Sequence, residues 1–128
     1  MIFLIQLDAV KEAVETKDMF NIVHLSSMLK LDFWLLTDDP FDQSRFKRRQ
    51  KVEILGEEMC VSSPEDTIIQ KLRWYHESKI EKHLVEAAFV YQIQKENLQK
   101  EYLDLWIKNL GVSCYFEELE KLNLENYL

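Results

Sequence analysis

The residues best suited to chemistry in this chain are His24, Lys30 and Asp32, close together in the stretch Phe20–Leu36, FNIVHLSSMLKLDFWLL. A carboxylate of this kind can ligate a divalent cation, and an ammonium or imidazole can meet a phosphate. Asp32 is the most informative of the three. A lone carboxylate in an apolar run is costly unless it is paired, hydrogen-bonded or bound to a metal.

The element that must position these groups is a β-hairpin. Phe20–Leu25 is rich in residues that fit a pleated surface, and Leu29–Leu36 is apolar almost throughout, as a strand covered on both faces would be. A turn at Ser26–Met28 would set Ile22 opposite Asp32 and His24 opposite Lys30. The pleat then gathers His24, Lys30 and Asp32 on one face and leaves Leu25, Leu29, Leu31 and Phe33 on the other, as core. An Asp32–Lys30 or Asp32–backbone contact with no chemistry would leave the same pattern.

The rest of the chain supplies a scaffold. Asp8 is placed to cap a helix running to about Lys17, with Ala9, Val10, Ala13 and Val14 as its apolar stripe. Asp39-Pro40 starts a short helix to about Arg49. Gln50–Leu55 and Glu58–Val61 read as a second hairpin turning at Gly56-Glu57. Ser63-Pro64-Glu65-Asp66 is a strong helix start, with Ser63 as cap and Asp66 at the capping-box position. That helix runs to about Ser78, with Ile68, Ile69, Leu72 and Tyr75 facing inward and Lys71 off the stripe beside Trp74. Helices over about Glu81–Lys95 and Gln99–Asn109 follow. The latter is apolar nearly all round, and Gly111 stands at its C′ position. Ser113 is placed to cap a last helix to about Leu122. The fold class is α+β: a small mixed or antiparallel sheet, then a helical C-terminal half. One domain over 1–128 is expected, with a sheet-containing part, 1–62, and a helical part, 63–128.

Composition narrows the function classes. Apolar residues at 47% and charged residues at 30% are those of a globular chain, and 128 residues suffice for a real core. A net charge of −7 argues against non-specific binding to nucleic acid or an anionic membrane. No apolar run reaches the roughly 18 residues of a membrane span. Met1–Leu7, MIFLIQL, lacks a basic leader and reads as a strand or core-packing start rather than a signal peptide. With only Gly56 and Gly111, the chain has no P-loop, dinucleotide fingerprint or nucleophile elbow. Cys60 and Cys114, far apart, are expected as buried free thiols in a cytoplasmic protein.

Two further clusters have bland explanations beside sharp ones. His76 and His83 would share a face on one continuous helix, with Glu77 and Glu81 nearby, but Ser78–Ile80 reads as a break and solvated histidines explain the spacing. The basic run Arg45, Lys47, Arg48, Arg49 and Lys51 suits a phosphate or acidic partner, or simply a solvated helix face.

Three segments, FNIVHLSSMLKLDFWLL, PFDQSRFKRRQ and VSSPEDTIIQKLRWY, together resemble a family of small prokaryotic nucleotidyltransferase-like proteins. These belong to the DNA polymerase beta-like superfamily, whose relatives include toxin components of the AbiEii type and minimal nucleotidyltransferases. The resemblance spans roughly Phe3–Gly111 and is most specific in SPED…QKLRW. It implies nucleotidyl transfer with Mg²⁺ held by three carboxylates, two in a Gly-Ser…Asp-x-Asp motif and one on a neighbouring strand. Asp32 matches the third carboxylate, with a catalytic and metal-binding role implied. Lys71 matches a family lysine near the phosphates; Lys30 and His24 are candidates for nucleotide or phosphate contact beside Asp32. Glu86 stands where the family commonly has Asp.

The chain departs from the family pattern where it counts. The Gly-Ser…Asp-x-Asp segment belongs upstream of Met1, and one carboxylate will not ordinarily hold Mg²⁺. Three expectations compete: a truncated binding module, a true start further upstream, or a second chain that completes the sheet. The leading expectation is a degenerate, non-catalytic nucleotidyltransferase-like protein that binds a partner or a nucleotide. It carries no bound cofactor and forms a homodimer or a complex with a protein partner, since lost strands would bare a sheet edge. The runner-up is an active Mg²⁺-dependent enzyme, possible in a toxin–antitoxin setting, whose other carboxylates come from upstream or from a partner chain. A plain interaction module is the third.

Overall fold

The computed structural model describes residues 3–128, and the part of the Met1–Leu7 expectation that concerns Met1 and Ile2 lies outside them. The fold is α+β, with two small antiparallel sheets and helices concentrated in the C-terminal half. Packing divides the chain into two compact units, Met1–Phe46 and Lys47–Leu128, so the second hairpin groups with the helices rather than with the first sheet.

In the first unit, strands β1 (Phe3–Leu4), β2 (Met19–His24) and β3 (Leu29–Trp34) form an antiparallel sheet in the order β1-β2-β3. Helix α1 (Leu7–Thr16) packs against β2; of its expected stripe Ala13 is buried and Val10 half-buried, while Ala9 and Val14 are exposed. Its cap position is Gln6, without a side-chain bond, and Asp8 sits inside the first turn, where its charge favours the helix dipole. The helix ends at Lys17, in the left-handed region at φ 53°, whose N–H bonds the Ala13 carbonyl. Leu4, Ile5 and Leu7 are all exposed, so this N-terminal apolar run pairs as a strand without packing as core.

The first hairpin has a four-residue loop, Leu25–Met28, not the expected three-residue turn. Met28 adopts φ 59°, and its N–H closes the loop on the His24 carbonyl at 2.7 Å. The extra loop residue shifts the register by one. Asn21 pairs with Asp32, Val23 with Lys30, and His24 with Leu29. A one-residue slip moves side chains to opposite faces, which corrects the expected grouping of His24 with Lys30 and Asp32. β3 is also not covered on both faces. Leu29 is 39% and Phe33 42% exposed, and Lys30 and Asp32 are exposed.

After the sheet, helix α2 (Pro40–Lys47) is held by a buried charge pair. The Arg45 Nε donates to Asp42 Oδ1 at 2.9 Å, a terminal nitrogen donates to the Leu35 carbonyl at 3.1 Å, and the guanidinium lies over Trp34. Thr37 donates from its hydroxyl to the other Asp42 oxygen.

In the second unit, β4 (Gln50–Ile54) and β5 (Glu57–Val61) form a hairpin whose two-residue turn is Leu55-Gly56. Both residues have positive φ, 55° and 79°, as a type I′ turn requires. Helix α3 (Pro64–Ser78) begins as expected: the Asp66 N–H donates to Ser63 Oγ at 3.1 Å. It packs on α4 (Glu81–Gln94); α3 buries Ile68, Ile69 and Leu72, and α4 buries Leu84, Val85, Ala87 and Ala88. The small Ala87 and Ala88 lie at the buried α4 face. Helix α5 (Lys100–Asn109) buries Leu103 and Ile107, but Leu105 is 55% exposed, so one face rather than the whole circumference is core. Gly111, at φ 69°, ends it as expected.

The last α-helix, α6 (Ser113–Phe116), is one turn long and does not reach Leu122; its cap position is Val112, without a side-chain bond, and Ser113 lies inside it. Beyond it the backbone bonds tighten to i→i+3, as Glu118 N–H to the Tyr115 carbonyl. The Gln92 amide captures the Leu119 and Leu122 carbonyls, at 2.7 and 3.1 Å. Cys60 and Cys114 are both exposed and unbridged, contrary to the expectation of buried thiols. No helix among the described residues is long and apolar enough to cross a membrane.

Candidate functional site

The first candidate is the face of the β2–β3 hairpin that carries Asp32. Cross-strand partners share a face, so Met19, Asn21, Val23, Lys30, Asp32 and Trp34 lie together. Phe20, Ile22, His24, Leu29, Leu31 and Phe33 lie on the other, where the Phe20 and Phe33 rings stack at 5.2 Å. His24 is buried at 8% exposure on that apolar face. Its ring lies 5.3 Å from that of Phe3, and Nδ1 shares a hydrogen bond with Ser27 Oγ at 2.6 Å. Ser27 Oγ also accepts from the Leu29 N–H at 3.2 Å. His24 therefore fastens the loop rather than standing beside Asp32.

The strand neighbours of Asp32 on its face do not by themselves suit Mg²⁺. Asn21 offers an amide and Lys30 a cation, and a hard dication needs several oxygen ligands, carboxylates foremost. Among the described residues, no group of three or more His, Cys, Asp or Glu side chains converges on a common point.

The second candidate lies in the other unit, where α3 and α4 bring Lys71 and Glu86 together. Lys71 is 7% exposed, and its Nζ lies 2.5 Å from Glu86 Oε2. Its ammonium also lies 5.1 Å from the centre of the Trp74 ring. Lys82 approaches the other Glu86 oxygen at 3.7 Å, and His83 stacks obliquely on Trp74 at 5.5 Å. Burial pushes the Glu86 carboxyl up, but the hydrogen bond and charge of Lys71, with Lys82 and His83, outweigh it and hold the group below its ordinary value. Burial, then the charge of Lys71, holds His83 below its ordinary value too. The ammonium is thus neutralised inside the protein, and a phosphate reaching Lys71 would have to displace Glu86.

The basic run divides by role. Arg48 is no surface charge. It donates to Glu65 Oε1 at 2.6 Å, Asp66 Oδ2 at 3.2 Å and Gln99 Oε1 at 2.9 Å, and stacks 3.7 Å over Tyr102. Tyr102 donates to the second Asp66 oxygen at 2.5 Å, and Ser63 Oγ donates to Asp66 Oδ2 at 2.7 Å. Arg48 thereby ties α3 to the start of α5. The capping-box position of Asp66 hinted at this cluster; the partners Arg48 and Tyr102 are too far away in sequence to be read. His76 and His83 lie on separate helices, since Lys79 at φ 58° ends α3, and His76 meets Tyr115 at 3.2 Å.

Asp32 and Lys71 thus fall in different compact units, while Lys71 and Glu86 share one. Searches against protein-family models, curated proteins and solved structures give no match for this chain.

Proposed function

We propose that this chain is a degenerate nucleotidyltransferase-like protein that acts by binding, of a protein partner or a nucleotide, without transferring a nucleotidyl group. The observation that supports this best is the Lys71–Glu86 pair. Two positions singled out by the family resemblance meet at 2.5 Å, so the lysine that would face phosphate serves to join α3 to α4.

A second reading has one observation in its favour. Asp32 is exposed, so carboxylates from a partner chain or an upstream segment could join it to hold Mg²⁺ in an active enzyme. Calorimetric titration with Mg-ATP and Mg-CTP, followed by assay for pyrophosphate release, separates the two. Binding heat without pyrophosphate, or no heat with a co-purifying partner, is the expected result. Pyrophosphate release abolished by Asp32→Ala would overturn the non-catalytic reading.

A further inference from the structure

We infer that the edge of β3 pairs with β3 of a second copy of this chain, in antiparallel register centred on Leu31. This names the partner that the binding reading leaves open and rests on that reading.

β3 is the last strand of its sheet, and among the described residues of its own unit β2 is the only element with which it makes extended contact. A terminal strand presents a row of backbone donors and acceptors suited to another strand. Proteins usually blunt such an edge with charges that repel a newcomer. Here the two edge charges have opposite sign and stand symmetrically about Leu31, in the order Leu29, Lys30, Leu31, Asp32, Phe33.

That symmetry selects one register. Turned about a two-fold axis through Leu31, the strand sets Lys30 opposite Asp32 of the second copy, and Asp32 opposite its Lys30. Leu29 falls opposite Phe33, and Leu31 opposite itself. Opposite charges facing across a ladder are favourable and like charges are not. Sliding by one pair in either direction sets Lys30 against Lys30, or Asp32 against Asp32. Registers centred between residues join the polar face of one copy to the apolar face of the other. Only the Leu31-centred register matches both charge and polarity.

The exposures fit a surface that pairs. Lys30 and Asp32 are exposed, and Leu29 and Phe33 are 39% and 42% exposed on the opposite face. Asp32 also interacts within its own chain, and a carboxylate has room for both, since its oxygens accept about four hydrogen bonds. Pairing joins two three-stranded sheets into one and extends the Phe20–Phe33 stack toward Leu29 of the second copy.

The test is a charge swap read by light scattering and analytical ultracentrifugation over a wide concentration range, with circular dichroism to check folding. The wild type is expected as a dimer. Lys30→Asp and Asp32→Lys each bring like charges face to face and should weaken dimerisation roughly tenfold or more. The double variant Lys30→Asp with Asp32→Lys restores opposite charges and should regain the dimer. A folding defect would not be repaired by the second substitution. A wild type that stays monomeric at high micromolar concentration, or a double variant no better than the singles, overturns the inference. Nucleotide heat or a different co-purifying protein in that case leaves the binding reading standing. Pyrophosphate release from a charge-swappable dimer overturns the binding-only reading alone.

Discussion

At the scale of residues, buried charge in the second unit is satisfied within short networks, and removing one member exposes the cost. Arg48 neutralises Glu65 and Asp66, which are 4% and 0% exposed. Arg48→Ala leaves two buried carboxylates uncompensated, and urea denaturation should show a loss of about 3 kcal/mol. Arg48→Lys keeps the charge but not the fork and should fall between. The His83–Lys71–Glu86 group makes the fold acid-sensitive. His83 sits below its ordinary 6.5 in the folded chain, so the unfolded chain binds more protons as the pH falls past that value, and stability drops. Glu86, held below 4.5, adds a loss of the same sign at lower pH. The melting temperature should fall between about pH 7 and pH 5, and His83→Phe should flatten that fall. The pairing could not be read from the sequence. Lys71 stands out there as a cation off an apolar stripe and, with Glu86, as a position that the resemblance marks, but nothing local sets one against the other. What brings them together is the way α3 packs on α4.

At the scale of elements, most of the chain was legible because local chemistry decides it. Ser63, Pro64 and Asp66 start α3 where their types say a helix should start, and Gly111 stops α5. Both hairpins exist, but each turn departs by one residue from the one its sequence suggests, and for a common reason. The left-handed positions are occupied by Met28 and Leu55, which carry no sequence signal for positive φ. For the first hairpin that single residue decided the fate of the proposed site: it sent His24 to the face opposite Lys30 and Asp32. The second hairpin is open to improvement. Leu55 at φ 55° before Gly56 is strained, and Leu55→Asn would give the preferred Asn-Gly turn. A gain of about 0.5–1 kcal/mol in urea denaturation is expected. Beyond Phe116 the chain leaves the α-helical path that its sequence suggests, and Gln92, distant in sequence, captures the Leu119 and Leu122 carbonyls there.

At the scale of the whole molecule, apolar burial is unevenly shared. Ala13 and Phe41 are the buried hydrophobic residues of the first unit among those described, while the second buries Ile68, Ile69, Leu72, Leu103 and others. Hydrogen exchange should therefore be markedly faster in β2 and β3 than in α3 and α4, and protein at dimer-forming concentration should show added protection confined to β3. Uniform protection across both units would contradict this. The exposed thiols bear on every such experiment. Cys60 and Cys114 both face solvent, so protein aged in air should accumulate covalent species that run as ladders on non-reducing gels. Dithiothreitol, or replacement of both residues by serine, should abolish those ladders. An association held by strands alone would survive either treatment.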